Sequence, residues 1–423
     1  MKPSFYNYYI PYNSGMVFMN GITESSFWVP ESRADTYRTI IEDPDSYYAQ
    51  FETFINKLIN QGFVLSDDAD EAARVIEKYE RLCSPSEYHI MILPTYACNL
   101  RCWYCVQKHQ NVWLSQDQMD SVKKMIERKI SNPGISMFRL SWFGGEPLMA
   151  YEPLKAFTQD AQAMAGNMGK QFSCGITTNG TLLNPTRIED LKRAGVTHYQ
   201  ITIDGDKNTH DKVKYMANSS AFDITMQNIA ILAEHTTCIL RFNYSPENLN
   251  PKSIISDIEQ RLPESARSNI MFNLQPVWQS KMSDEDFNKV IELMDLSKDI
   301  GLVPFLKSYG LCYVDKNHYD CVYPSGHVGK CENGIEGIKN ALLLDDGLID
   351  TSEVEDLHYK SIFETQNTDC LACKYLPICW GPCNRDRYSQ LKRCGCISCV
   401  YDNKDDGIRE PIRNIFLSGK YMV

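Results

Sequence analysis

From Tyr88 onward the chain repeats one pattern: a short β-branched or aromatic run, a loop, then an amphipathic stretch with helix caps. The predicted strands are His89–Thr95, Met137–Phe143, Phe172–Thr177, Tyr199–Ile203, Cys238–Tyr244 and Ile270–Val277. Helical stretches fall at about 116–131, 151–166, 185–194, 222–235, 252–262 and 284–300. Ser115 with Gln118 reads as a capping box, and Asn184-Pro185 starts a helix that Gly195 stops. Six consecutive βα units imply an α/β fold with a parallel sheet and right-handed crossovers, either an open barrel or a doubly wound sheet. In both, the active site belongs at the carboxyl ends of the strands.

The flanks differ. Tyr6–Tyr12 and Met16–Val29 read as hairpin strands joined by Asn13-Ser14-Gly15, and helices are predicted at 33–42, 46–60 and 69–82. This first segment is a small α+β domain, and it carries 14 Asp/Glu against 7 Lys/Arg. After about residue 305 the periodicity fades; seven of the 16 cysteines lie between Cys312 and Cys383, with Cys394, Cys396 and Cys399 beyond. Such a segment needs metal or cross-links to fold. The expected domains are 1–88, 89–305 and 306–423.

Neither a signal peptide nor an apolar run of membrane-spanning length is visible, so a cytoplasmic location is expected. Clustered thiols there read as metal or redox ligands rather than disulfides. The net charge of −11 argues against a general nucleic-acid grip, and with it against a zinc-bearing nucleic-acid binder.

Cys98, Cys102 and Cys105 have the spacing C-x3-C-x2-C directly after the first strand of the βα series. One loop can wrap three thiolates around a [4Fe–4S] cube at this spacing, leaving one iron open; structural zinc usually wants four ligands. With Asn99-Leu100 after the first cysteine and Tyr104 before the third, the loop resembles that of the radical S-adenosylmethionine (SAM) superfamily. The resemblance implies a partial (β/α)6 TIM barrel, SAM on the open iron, and a 5′-deoxyadenosyl radical that abstracts hydrogen from the substrate.

Four further strand ends carry similar segments: Gly144-Gly145-Glu146-Pro147, Thr178-Asn179-Gly180-Thr181, Thr202-Ile203-Asp204-Gly205 and Arg241-Phe242-Asn243. By resemblance, Tyr104, Gly144, Gly145, Glu146, Pro147, Thr178, Asn179, Thr202, Asp204 and Arg241 would surround SAM, with Gly144–Pro147 receiving its methionine amino group. Related enzymes often have arginine where this chain has Lys214; lysine lacks the planar bidentate fork, so Lys214 is not assigned. Asp204 is expected to cap the strand-end turn, and His210, His235, His318 and His327 to be surface or loop residues.

Cys370-x2-Cys373-x5-Cys379-x3-Cys383, with Cys312-x13-Gly326-x4-Cys331 upstream, resembles the SPASM extension of such enzymes. The resemblance implies two auxiliary [4Fe–4S] clusters, one on Cys312, Cys321, Cys331 and Cys383. The other takes Cys370, Cys373, Cys379 and one of Cys394, Cys396 or Cys399, with Cys399 preferred because a closing helix follows it. Cys83, Cys174 and Cys238 read as small buried apolar residues.

SPASM-type enzymes mostly modify peptides or proteins. The first 88 residues resemble, in element order, the winged-helix-like leader-recognition domains of ribosomal-peptide maturases, which add a leader as a strand to a sheet edge. The implied function is formation of a C–S or C–C cross-link in a precursor peptide (leader and core), an auxiliary cluster accepting the released electron and a flavodoxin or ferredoxin supplying the first one. Alternatives are a sulfatase-maturase-like enzyme, a peptide epimerase, and a peptide-binding scaffold with a degenerate barrel.

Overall fold

The structure, a computed structural model, describes residues 1–306, 310–332, 339–355, 360–365, 368–399, 401 and 403–421. Strands β1 (Lys2–Pro3), β2 (Asn7–Pro11), β3 (Gly15–Asn20), β4 (Ser26–Pro30) and β5 (Val64–Leu65) belong to the first domain, where β2-β3-β4 form an antiparallel sheet and β1 pairs with β5. Positive φ at both Asn13 and Ser14 suits the tight turn that a right-twisted hairpin prefers. Phe18 on β3 stacks on Phe27 of β4 with centroids 5.2 Å apart, and Tyr37, Phe54 and Phe63 close round them. The helices are Glu31–Glu42, Pro44–Asn60 and Glu71–Cys83, each boundary within two residues of the prediction.

The third of these helices buries Val75, Lys78, Tyr79 and Cys83, spacings of three and four that make one face. That face packs on Ile362, Leu376 and Trp380 of the later, cysteine-rich segment. Tyr79 packs on Trp380 and Phe363, and Tyr8 on Tyr375, so the first domain rests on the cysteine-rich segment. Lys78 Nζ, almost wholly buried, donates to the Gly21 and Pro377 carbonyls and pairs with Glu24 at 2.7 Å. These bonds offset the cost of taking an ammonium out of water.

The barrel strands are β6 (Glu87–Ile92), β7 (Met137–Trp142), β8 (Gln171–Thr178), β9 (Val196–Ile203), β10 (Cys238–Tyr244), β11 (Ile270–Pro276) and β12 (Val303–Leu306), parallel and adjacent in chain order. Alternate residues such as Ile90, Leu140, Ile201, Leu240 and Phe272 are buried in one core with Val122, Leu154, Ile229 and Ile258 of the covering helices. The pleat therefore turns Ser141, Thr177, Gln200, Thr202, Arg241 and Asn273 to the opposite, concave face. A polar lumen follows from the sequence alternation.

The sheet runs further than the six βα units. The expected border at residue 305 falls inside β12. At the other edge β13 (Tyr319–Val322) pairs parallel with β6, and β14 (His327–Gly329), β15 (Ala341–Leu343) and β16 (Ile349–Asp350) follow antiparallel. The result is an eleven-stranded sheet from β12 to β16 whose two ends do not pair among the described residues, so the barrel stays open. β6 stops at Ile92 rather than Thr95 because Pro94 has no N–H; Thr95 bridges Trp113 instead. Helix Lys404–Tyr421 closes the chain, and no helix among the described residues is long and apolar enough to cross a membrane.

Candidate active site and cysteine groups

The loop bearing Cys98, Cys102 and Cys105 leaves the carboxyl end of β6 and is pinned before its first thiol. Thr95 Oγ1 donates to the Val112 carbonyl at 2.8 Å and accepts from the Ala97 N–H at 2.9 Å. The Gly145 and Glu146 N–H groups donate to the Thr95 and Ala97 carbonyls at 3.0 and 2.8 Å. A Cβ on Gly145 would lie 2.1 Å from the Ala97 oxygen, so only glycine permits this approach. The space freed by Gly144-Gly145 is thus filled by the backbone of the thiol loop.

Burial pushes all three thiols up, Cys102 to about 11. Ligation has to release those protons. Cys105 Sγ lies 3.4 Å from His109 Nε2, a neighbour that the spacing argument overlooked. Among the described residues no three His, Cys, Asp or Glu side chains converge on a single metal-ion position. The donor chemistry here, three soft thiols on one loop under a polar lumen, suits an iron–sulfur cluster with one open iron.

Glu146 is fully buried and occupied. Its carboxylate accepts from Thr178 Oγ1 at 2.7 Å, the Asn179 N–H at 2.8 Å and the Leu148 N–H at 3.0 Å. Burial raises its pKa, against the pull of those donors. Glu146 therefore braces the end of β8 against the end of β7. Asn179 Nδ2 donates to Asn99 Oδ1 at 2.9 Å, and Asn99 Nδ2 to Thr181 Oγ1 at 2.9 Å, which ties the thiol loop to the same strand end.

A second buried network joins β9 and β10. Asp204, with no exposed surface, accepts from Tyr104 OH at 2.5 Å and pairs with Lys214 Nζ at 2.9 Å. Lys214 Nζ also donates to the Thr202 carbonyl at 2.8 Å and to Thr202 Oγ1 at 2.7 Å. Although burial pushes the Asp204 carboxyl up, Lys214 and then His210 and Tyr104 hold it below the usual carboxylate value. Asn243 Nδ2 donates to Tyr104 OH at 3.1 Å, and Arg241 Nε to Asn243 Oδ1 at 2.8 Å. Asp204 is an ion-pair hub, not a turn cap, and Lys214 is its counter-ion. His210 is fully buried against Phe222, its Nδ1 accepting from the Asp204 N–H at 3.2 Å, which corrects its expected surface position. The i, i+2 placement of Arg241 and Asn243 on one strand face was the available signal for Asn243; for Lys214 there was none beyond the missing arginine.

The cysteine-rich segment forms two groups. Cys321 on β13 is fully buried, and its register partner Gly329 stands two residues before Cys331. A buried pair, Arg387 to Asp315 at 2.5 Å, links the turn after Cys312 to the helix that follows Cys383: Asp315 ends that turn, and the Arg387 N–H donates to the Cys383 carbonyl. Arg387 Nε and Nη1 and Asn384 Nδ2 are buried donors without hydrogen-bond partners among the described residues, as donors facing cluster sulfides would be. Gln107, just past Cys105, donates to the Glu332 carbonyl at 2.9 Å, so the barrel loop touches this group.

In the second group Cys370, Cys373, Cys379 and Cys399 line one cavity with Tyr375, Leu376, Ile408 and others. Cys394 and Cys396 lie outside it, at the end of helix Asn384–Cys394. Cys83, Cys174 and Cys238 are all buried.

Residues 92–254 match the family model described as the radical SAM superfamily. GTP 3′,8-cyclase 1 of Mycobacterium tuberculosis is 33% identical over 128 residues, 27% of this chain and 34% of that protein. Fe-coproporphyrin III synthase of Methanosarcina barkeri is 25% identical over 199 residues, 46% of each chain. The chain thus spans about a third to a half the length of these relatives. Among solved structures, anSMEcpe with bound AdoMet and Cp18Cys peptide aligns with TM-score 0.58 at 14% identity, over 79% of this chain and 100% of that one. Streptococcus suis SuiB bound to precursor peptide SuiA aligns with TM-score 0.52 at 14% identity, over 95% and 99%. Residues 92–254, which carry the three-thiol loop and the strand ends around it, thus match the radical SAM superfamily, whose members are enzymes.

Proposed function

We propose that this enzyme matures a ribosomally made precursor peptide by forming a C–S or C–C cross-link at an unactivated carbon. In this reading Cys98, Cys102 and Cys105 hold the [4Fe–4S] cluster that binds SAM; the remaining thiols hold two auxiliary clusters, Cys312, Cys321, Cys331 and Cys383 one, Cys370, Cys373, Cys379 and Cys399 the other. When bound, cluster and SAM supply a 5′-deoxyadenosyl radical able to take one hydrogen atom from the substrate. The chain's own part is positioning. Glu146 and Asn99 fix the thiol loop to the end of β8, and the Asp204–Lys214 pair fixes Tyr104 over the end of β9. Arg241, mostly buried and turned into the lumen, is the candidate partner for the SAM carboxylate.

The observation that carries the peptide reading is the first domain. β4 pairs on one side only among the described residues, leaving an edge to which an extended leader could add as a strand. The SuiB–SuiA likeness covers 95% of the chain, so its fold match extends over most of residues 1–88, whereas the anSMEcpe likeness covers 79%. The test is an anoxic incubation with SAM, a flavodoxin or chemical reductant, and short precursor peptides encoded nearby. The reading expects 5′-deoxyadenosine in step with a peptide that has lost two hydrogens, and a lower yield when the leader is removed. Turnover of GTP, or a product formed equally well without any leader, would overturn it.

A further inference from the structure

We propose that Cys394 and Cys396 form a surface dithiol that exchanges with low-molecular-weight disulfides, a modification site separate from the cluster ligands. Their sulfurs lie 2.8 Å apart, closer than any non-bonded packing need bring two side chains. The approach is built in by three features. Gly395 between them ends helix Asn384–Cys394 in the left-handed region at φ 67°, which reverses the chain and turns both side chains to the same side. Ser398 N–H and Oγ donate back to Gln390 Oε1 at 2.7 and 3.2 Å, holding the turn against the helix. Ile397 bridges Thr368, fixing the chain on the far side.

The remaining thiols are otherwise placed. Cys83, Cys174 and Cys238 are buried, and Cys370, Cys373, Cys379 and Cys399 share a cavity that this pair does not line. Cys394 is exposed and donates to the Gln390 carbonyl at 3.1 Å, so solvent and a small disulfide can reach it. The Cys396 thiol against it, and Arg393 beside it, hold Cys394 below the usual thiol value, which favours it as the attacking sulfur.

The step balances as ordinary exchange. The Cys394 thiolate attacks one sulfur of the incoming disulfide, breaking its S–S bond and releasing one thiolate. Cys396 then loses its proton and attacks the Cys394 sulfur, expelling the second thiolate. One intramolecular S–S bond forms, and the two protons given up by the cysteines end on the two released thiols. The pair is oxidised by two electrons and the small disulfide reduced by two.

Glutathione disulfide is the probe, applied anoxically to the cluster-loaded full chain, followed by acid quench, alkylation and peptide mass analysis. The expected result is loss of two alkylatable thiols at Cys394 and Cys396, with two hydrogens lost and no glutathione retained. Cys396→Ser should keep its iron and trap glutathione on Cys394. Three results would overturn the proposal: both thiols staying alkylatable at large excess of probe, a lasting glutathione adduct on the unmutated pair, or loss of iron in Cys396→Ser.

Discussion

Lys214→Met removes the cation beside a carboxylate that has no exposed surface. Breaking a buried pair by deleting one partner costs roughly 3–5 kcal/mol, because the remaining charge is stranded. Spread over a barrel of this size, each kcal/mol shifts the melting temperature by about 2–4 °C, so a drop of roughly 6–20 °C is expected. The pH dependence has a sign. With Lys214 present, Asp204 titrates below the usual carboxylate value, so the stability it brings is complete above about pH 4 and is lost only as pH falls through its folded pKa. Without Lys214, the burial that pushes this carboxyl up loses its main opponent, the folded state binds a proton before the unfolded one, and the deficit shrinks as pH falls. Anoxic thermal unfolding of wild type, Lys214→Met, Asp204→Asn and the double variant reads both effects, and the double variant should recover part of the loss. A single-variant drop under about 2 °C, a deficit constant with pH, or strictly additive losses would refute the buried-pair argument.

Gly145→Ala would force a methyl to within 2.1 Å of the Ala97 oxygen. Iron should fall by one cluster's worth and 5′-deoxyadenosine formation by roughly a hundredfold, as for a displaced catalytic loop. Cys399→Ala should also lose one cluster's worth of iron, whereas Cys394→Ala should lose none; equal losses would move the ligand out of the cavity. His89 and His210 are buried and held neutral down to about pH 3, desolvation being the main cause for both. An unfolded histidine takes its proton near pH 6.5, so stability should decline as pH falls from there toward 3, by up to about 1.4 kcal/mol per pH unit for each. Thermal unfolding between pH 7 and 5 checks this, and His210→Leu should flatten the slope.

The barrel was legible because each strand alternates between a helix-facing apolar row and a lumen-facing polar row, a local pattern that needs no knowledge of distant partners. Short strands such as Val303–Leu306 and Tyr319–Val322 were not, since four residues carry too little pattern and pair only through the sheet. The leader-recognition reading rested on element order; that the domain seats Tyr79 and Tyr8 against the cysteine-rich segment emerged from packing alone.

Sequence by itself determined the βα order, the spacing of Cys98, Cys102 and Cys105 on one loop, and the existence of a thiol-rich segment, because each is a property of neighbours along the chain. The tertiary structure decided which polar groups are spent inside the fold. Glu146 meets Asn179 across 33 residues and Tyr104 meets Asp204 across 100, so nothing local could announce that these carboxylates are braces. It also decided which late cysteine shares a cavity with Cys370, Cys373 and Cys379: Cys399 is carried there, while Gly395 turns Cys394 and Cys396 toward each other.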